Sequence, residues 1–182
     1  MVPQVSVVPA GTAADAAFVA EVVDLVNRVY ADAEKGLWQQ DTHRTDADEV
    51  MEYIRTGQLT IARMDGRLVG AVRIQHLDDD LGGFGMLVAS PEHRGVGVGR
   101  VLVAFAEDWA RARGLGRMQL ELLVPQTWPH PVKEFLREWY TRIGYRHVRI
   151  GDFAVDYPAL EPLLATPCDF QIFHKPLSLR SL

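Results

Sequence analysis

The sequence has little that would place the chain outside the ordinary class of folded, reduced proteins. It contains one cysteine, Cys168, so no disulfide can form within the chain and nothing indicates an oxidising compartment. No apolar run is long enough to span a membrane, and the first four residues lack the basic and apolar regions of a signal peptide. These absences predict a cytoplasmic protein that has no membrane partner.

An excess of positive charge is also missing. The net charge is -5 at pH 7 and the isoelectric point is about 5.6, whereas general nucleic-acid binding needs a basic face. The 6 histidines show no spacing typical of a metal site. We therefore expect neither a nucleic-acid partner nor a bound metal.

What is present fits a single domain. The 182 residues are 48% hydrophobic and 24% charged, enough to bury a substantial core, which we expect between about residues 4 and 176. Strands and helices mix without strict alternation, so the pattern predicts an α/β protein of mixed α+β type, with a mixed sheet and helices on both faces. The periodicity predicts strands at 4–9, 59–64, 67–77, 84–88, 118–124, 145–150 and 169–175, and helices at 15–30, 45–55, 98–113, from the prolines after 125 to 143, and at 157–165. Asp65-Gly66 is a strong hairpin signal between two of these strands, and Thr45 can cap the helix at 45–55.

The most informative segment is the glycine-rich stretch at 91–100. It follows a predicted buried strand and opens an amphipathic helix, so the order is strand, turn, helix. Three alternate glycines keep side chains away from the turn, and the first helical turn offers unpaired backbone N–H groups at the positive end of a helix dipole. The segment predicts a binding site for phosphate or pyrophosphate.

Two of the glycine patterns that bind phosphate fail here. A Walker loop needs Gly-Lys followed by Ser or Thr, but Gly99 is followed by Arg100 and Val101. A Rossmann fingerprint needs a third glycine where this chain has Arg100 or Leu102. The pattern Arg/Gln-x-x-Gly-x-Gly/Ala is matched fully, by Arg94, Gly97 and Gly99.

Residues 87–99, with their apolar strand and proline, resemble the acetyl-CoA-binding signature of the GNAT (Gcn5-related N-acetyltransferase) superfamily. Residues 139–145, Trp-Tyr-Thr-Arg-Ile-Gly-Tyr, are similar to that family's second, tyrosine-bearing segment, and the order of elements agrees from about 4 to 176. The resemblance implies a central twisted, mostly antiparallel sheet of about six to seven strands, splayed between the strands at 84–89 and 118–124. The family often has Asn where this chain has Lys133.

The resemblance also implies how the donor, acetyl-CoA, would bind. Strand-like hydrogen bonds from the backbone of the first strand would hold pantetheine, and the N–H near Val88 would polarise the thioester carbonyl. Backbone N–H groups of the loop would hold the pyrophosphate, with added charge from its arginines. The predicted donor-binding residues are Leu87, Val88, Ala89, Arg94, Gly95, Val96, Gly97, Val98, Gly99 and Arg100.

The implied reaction is attack by an amine on the thioester. An alkyl amine has a pKa near ~10, so a base must free its lone pair, and the leaving thiolate needs a proton. Tyr140 shares a helical stripe with Leu136 and Ile143, which by spacing alone indicates a core residue; the resemblance makes it the general acid.

The base is harder to identify. By strand alternation Glu121 points opposite Leu120 and Leu122, which leaves it facing either solvent or the acceptor cleft. Glu34 and Trp38 lie in the loop that, by resemblance, borders the acceptor site, where Trp38 either stacks on the acceptor or anchors the loop.

The acceptor itself stays open: a small-molecule or peptide amine, taking acetyl or a longer acyl group. The acidic balance of the chain, with Asp78, Asp79 and Asp80 in one loop, mildly favours a cationic acceptor, although such a run is more often a solvated loop. Two other functions compete: a GNAT-fold module that binds acyl-CoA without turnover, and a nucleotide-binding protein. The resemblance is also compatible with a homodimer.

Overall fold

The computed structural model describes residues 1–178, and within them the chain folds around one sheet. The strands are β1 (Gln4–Val7), β2 (Leu59–Met64), β3 (Arg67–Asp78), β4 (Leu81–Ala89), β5 (Arg117–Pro125), β6 (Arg146–Gly151) and β7 (Cys168–Pro176). The helices are α1 (Ala16–Ala33), α2 (Ala47–Arg55), α3 (Val98–Ala112), α4 (Pro131–Arg142) and the short α5 (Phe153–Asp156).

The seven strands form one open sheet in the order β1-β2-β3-β4-β5-β7-β6. Every neighbouring pair is antiparallel except β4 and β5, which run parallel. Helix α3 makes the crossover between those two strands, as a parallel connection requires. The prediction of a mixed, mostly antiparallel sheet is confirmed.

The parallel pair is joined only at one end. Cross-strand pairs run from Leu81 with Arg117 to Gly83 with Gln119, and beyond them β4 and β5 separate. On its other side, β4 carries a bulge: residues 71 and 73 of β3 face residues 88 and 85, so β4 holds an extra residue there. Met86 within the bulge has a φ of 51°, and a bulge increases strand bending and twist. The predicted splay between these strands is confirmed.

Local chemistry explains the turn between β2 and β3 and the starts of the first two helices. Asp65 and Gly66 both have positive φ, 50° and 76°, as a two-residue hairpin turn requires. Asp15 caps α1 by accepting a hydrogen bond from Phe18 N–H at 3.1 Å. For α2 we expected Thr45 as the cap, and this was wrong.

Asp46 caps α2 instead, accepting from Glu49 N–H at 2.8 Å, while the hydroxyl of Thr45 donates to the Glu49 carboxylate. A second expectation, a helix over 157–165, was also wrong. The helix there is α5, which ends at Asp156, and a 3-10 turn follows at Glu161–Leu163. The side chain of Asp152 caps α5 by accepting from Ala154 N–H at 3.1 Å.

Helices cover both faces of the sheet, and each face has its own core. Helices α1 and α2 bury one face and α3 and α4 the other, through stripes at the helical spacing predicted. The first core includes Val22, Leu25, Val26, Ile54, Ile61 and Met86. The second includes Phe84, Leu102, Ala106, Leu120, Tyr140 and Tyr145. A small third cluster contains Leu123, Phe170 and Ile172, with Trp38, Phe153 and Tyr157 packed against it.

Candidate active site

The glycine-rich loop connects β4 to α3 and exposes a row of unused backbone donors. Gly95 and Gly97 have φ values of 80° and 86°, in the left-handed region that favours glycine, and Gly97 is the N-cap of α3. Within residues 1–178 no hydrogen bond uses the N–H groups from Gly95 to Arg100; the next, that of Val101, donates to the Gly97 carbonyl at 3.1 Å. Arg94 and Arg100 are exposed beside them. This arrangement has the free donors and the positive charge that an anion would need.

A cavity opens where β4 and β5 separate, beside the strand that precedes the glycine-rich loop. Its volume is about 150 Å³. The bulged part of β4 forms one wall through Gly85, Met86 and Leu87. The opposite wall is β5, α4 closes one side, and α1 with the following loop and α5 close the other. The cavity is thus bordered by the strand whose backbone was predicted to hold the donor.

Two of the predicted donor-binding residues pair within the sheet. Val88 lies opposite Ala71, and Ala89 lies opposite Gly70. The side chain of Val88 is buried in the core on the α1 face, and that of Ala89 packs against the core on the α3 face. The side chains of both residues are therefore core side chains, and donor binding by their backbone stays a prediction.

Tyr140 lies on α4 with its ring in the core and lines the cavity. The ring centroid lies 4.8 Å from that of Trp139 and 6.2 Å from that of Phe84. Its hydroxyl makes no hydrogen bond to any group in the described part of the chain. Burial raises the pKa of the phenol well above its ordinary value, so it is protonated at neutral pH and holds a proton to donate.

Glu121 points from β5 into the same cavity rather than toward solvent. Its Oε2 accepts a hydrogen bond from the Tyr157 hydroxyl at 3.1 Å, and its Oε1 accepts from Gln119 Nε2 at 3.2 Å. Burial raises the pKa of the carboxyl, while these two hydrogen bonds oppose the rise. The sequence left the orientation of Glu121 open, and the structure places it with Tyr140 and Leu87.

Arg44 lines the cavity too, and sequence reasoning missed it. It lies in the loop between α1 and α2, and its side chain is 13% exposed. Its guanidinium sits 5.3 Å from the centroid of the Tyr30 ring and 5.8 Å from that of Tyr157. The loop carries no motif around Arg44, and its partners lie far away in sequence, so only the fold reveals it.

A buried ion pair closes the side of the cavity between α1 and α4. Lys133 Nζ binds Glu34 Oε2, and the two side chains are 7% and 5% exposed. Trp38 Nε1 donates to the other Glu34 oxygen at 3.0 Å, and the Trp38 ring packs against Phe153. Trp38 therefore anchors its loop while lining the cavity. Lys133, where the family often has Asn, fastens α4 to the end of α1.

The acidic loop lies away from this site. Asp80 accepts a hydrogen bond from Gly116 N–H at 2.7 Å and pairs with Arg117 at 3.4 Å, and none of Asp78, Asp79 and Asp80 lines the cavity. Cys168 is partly buried and its thiol donates to the Thr166 carbonyl at 3.4 Å. Across residues 1–178 no cluster of His, Cys, Asp and Glu could hold a metal ion, and no helix is long and apolar enough to cross a membrane.

An open sheet that splays after a bulged strand, with a glycine-rich loop at the end of that strand, is the arrangement that the resemblance to the GNAT fold implied. A family model described as the acetyltransferase (GNAT) family matches residues 23–132. This range is more than half of the chain and contains β4, the glycine-rich loop and Glu121. The chain therefore belongs to the acetyltransferase (GNAT) family, and the predicted membership is confirmed. Tyr140 lies beyond the matched range.

Solved structures share this fold over nearly the whole chain. The PaiA N-acetyltransferase of Thermoplasma acidophilum, in complex with coenzyme A, has a TM-score of 0.70 at 13% identity over 97% of this chain and 99% of its own. The ribosomal-protein-S18-alanine N-acetyltransferase of Escherichia coli has a TM-score of 0.64 at 12% identity, over 98% and 96%. No curated protein sequence matches the chain.

A third structure is the N-acetylglutamate synthase of Neisseria gonorrhoeae, complexed with coenzyme A and N-acetyl-glutamate. Its TM-score is 0.65 at 19% identity over 98% of this chain, which spans only 36% of the synthase. At these identities the likeness to all three proteins shows the fold.

Proposed function

We propose that this protein transfers an acyl group, most directly acetyl from acetyl-CoA, to a primary amine by direct attack. One observation carries the proposal: the cavity beside the bulged strand that ends in the glycine-rich loop holds both a carboxylate able to accept a proton and a buried phenol able to donate one. These are Glu121 and Tyr140. Family membership and the coenzyme A in the structures of similar fold support the donor.

The donor binds along β4. Its pyrophosphate accepts hydrogen bonds from the free N–H groups that begin at Gly95, and Arg94 and Arg100 add positive charge. Pantetheine lies in the gap between β4 and β5, where these two strands no longer pair with each other. The thioester then reaches the bulge, and the N–H near Val88 polarises its carbonyl.

The acceptor arrives as an ammonium ion and must lose a proton before it attacks. Glu121 removes that proton, directly or through a water molecule, and its raised pKa makes it a stronger base than an exposed glutamate. The nitrogen lone pair then forms a bond to the thioester carbon, the nitrogen loses its second proton to solvent, and the carbon–sulfur bond breaks. Tyr140 supplies a proton to the leaving sulfur and regains one from solvent.

The deciding experiment measures CoA release with a thiol reagent, using acetyl-CoA and a broad panel of amines. CoA binding is measured in parallel by calorimetry. We expect release of CoA that depends on both the amine and acetyl-CoA, with the acyl group recovered on the amine. Tight CoA binding without release from any amine would instead favour a non-catalytic acyl-CoA-binding module. ATP binding that CoA does not compete away would favour a nucleotide-binding protein.

A further inference from the structure

Arg44 brings a positive charge into the cavity where the proposed reaction takes place. The arginine reaches the cavity from the α1–α2 loop and lines it together with Glu121. A narrower recess next to it is also bordered by Arg44, Glu121 and Tyr157. The cavity is therefore lined by Arg44 and Glu121, by Glu34 and Lys133, which are bound to each other, and otherwise by largely apolar groups.

The charge of Arg44 is poorly matched by the protein itself. Its carboxylate partner, Glu49 Oε2, lies 4.0 Å from Nη1, and the Glu49 carboxylate already accepts hydrogen bonds from the hydroxyls of Thr45 and Tyr53. Within residues 1–178 the buried Nη1 of Arg44 has no hydrogen-bond partner. A buried guanidinium N–H without an acceptor is costly, so this group is suited to bind a ligand.

The stacking of the guanidinium restricts what it can bind. The guanidinium carbon lies over the rings of Tyr30 and Tyr157, at 5.3 and 5.8 Å from the ring centroids. A guanidinium held in this way offers planar, paired N–H donors at its edge, a geometry that fits a carboxylate with two parallel hydrogen bonds. A second ammonium group on the acceptor would instead meet a like charge.

Glu121 supplies the negative charge that complements the positive charge of Arg44 in the lining of the cavity. In the proposed reaction it receives the acceptor's ammonium, and Tyr157 contacts both charges: its hydroxyl donates to Glu121 and its ring lies over Arg44. The two charged groups thus sit around one aromatic side chain. A ligand of small size that carries both an ammonium and a carboxylate would neutralise both of them.

Resting on the proposed function, we propose that the acceptor is a small amino carboxylate whose carboxylate binds Arg44 while its amine faces Glu121. The volume of about 150 Å³ fits a small molecule rather than a folded protein surface. The aromatic lining next to these charges favours an apolar side chain on that acceptor; its residues are Trp38, Phe153, Tyr157 and Phe170. The local charges thus oppose the cationic acceptor that the net charge favoured.

The test uses acceptors that differ only at the carboxylate. Alanine, leucine and phenylalanine are each offered as the free acid, as the carboxamide and as the decarboxylated amine, with acetyl-CoA as donor. Rates of CoA release are corrected for the fraction of unprotonated amine. We expect kcat/KM for the acid of at least one side chain to exceed that for its amide and amine by about 10²-fold, since truncating one partner of a buried charge pair typically has an effect of this size.

The Arg44→Gln variant identifies the group responsible. In this variant the ratio of kcat/KM for the acid to kcat/KM for its amide or amine should fall toward one, mainly because the KM for the acid rises. The matched control is Arg55→Gln, an exposed arginine on α2 that does not line the cavity, and it should keep the full preference. Equal use of acids, amides and amines, or an equal loss for all three in Arg44→Gln, would overturn the inference and leave the acyltransfer proposal standing.

Binding gives an answer even if no acceptor reacts. The CoA-bound protein is titrated calorimetrically with the same acids and amides. Binding of an acid but not its amide, lost in Arg44→Gln, would support the amino-carboxylate site while the proposed catalysis failed. Binding of neither would overturn the inference.

Discussion

The hydroxyl of Tyr157 donates a hydrogen bond to Oε2 of Glu121 at 3.1 Å, which ties the segment after α5 to the middle of β5. This bond fixes the orientation of the carboxylate proposed as the base. It also stabilises the ionised form of that carboxylate, in opposition to burial, which destabilises it. The reactivity of Glu121 therefore depends on Tyr157, a residue that no sequence motif identifies.

Replacing Glu121 with Gln should remove the proposed base while keeping the size of the side chain. We expect kcat/KM to fall by about 10²- to 10³-fold. In the wild type, activity should fall as the pH drops through the pKa of Glu121, and this acidic limb should lie above the ordinary range for glutamate because burial raises that pKa. The limb should be absent from the variant. Asp79→Asn, in the acidic loop outside the cavity, is the control, and an unchanged limb in Glu121→Gln would exclude Glu121 as the base.

Replacing Tyr157 with Phe should move that limb rather than remove it. The hydrogen bond lowers the pKa of Glu121, so its loss raises that pKa and shifts the acidic limb to higher pH. The shift is measured in the pH dependence of kcat/KM. The same substitution made in the Glu121→Gln background should shift no limb, and a downward shift in the wild-type background would contradict the assignment.

Replacing Tyr140 with Phe should slow chemistry without weakening donor binding. We expect kcat to fall by about 10²-fold with little change in the KM for acyl-CoA. The control is Tyr145→Phe, a neighbouring buried ring 6.0 Å away whose hydroxyl donates to Glu107. That variant should lose about 1–2 kcal/mol of stability and keep its turnover. Equal turnover of the two variants would remove Tyr140 from the mechanism.

Replacing Gly97 with Ala tests the donor loop against a matched glycine. Both Gly97 and Gly66 have positive φ, 86° and 76°, and an added Cβ at either position would meet nothing within 4 Å. Each substitution should cost about 1–2 kcal/mol of stability through backbone strain. Only Gly97→Ala should weaken CoA binding, by about 10-fold, as measured by calorimetry. If Gly66→Ala weakened it equally, the loss would reflect general destabilisation.

The ion pair between Glu34 and Lys133 should contribute mainly to the free energy of unfolding. Lys133→Met leaves the Glu34 carboxylate buried and uncompensated, and we expect a loss of about 3–5 kcal/mol in urea unfolding. The double variant Glu34→Gln with Lys133→Met removes the charge and keeps an acceptor for Trp38, so it should recover much of that loss. If the double variant lost as much unfolding free energy as Lys133→Met and Glu34→Gln lose together when each is made alone, the two residues would not be coupled.

The sequence predicted most accurately what is determined locally. The Asp65-Gly66 turn, the helix after Gly97 and the strand pattern need only neighbouring residues, and each is present. The cap of α2 was misplaced because Thr45 and Asp46 are both good N-caps, and the choice depends on Glu49, whose carboxylate takes the threonine hydroxyl.

The site was predicted in part for the same reason. Tyr140 lies in a family motif, and the alternation of side chains along its strand sets Glu121 apart from the apolar residues beside it. Both could therefore be proposed as catalytic residues from the sequence alone. Arg44 and the pair of Glu34 with Lys133 form through tertiary contacts, the latter between residues 99 positions apart, and no short-range signal encodes them.

The short parallel ladder between β4 and β5 divides the sheet into two parts. Strands β1 to β4 form one part and β5, β7 and β6 the other, and within residues 1–178 the only strand pairing between the two parts runs from Leu81 to Gly83. The proposed donor loop follows the first part, whereas Glu121 lies on a strand of the second. The distance between a bound thioester and the proposed base is therefore set by how far the two parts diverge beyond this ladder.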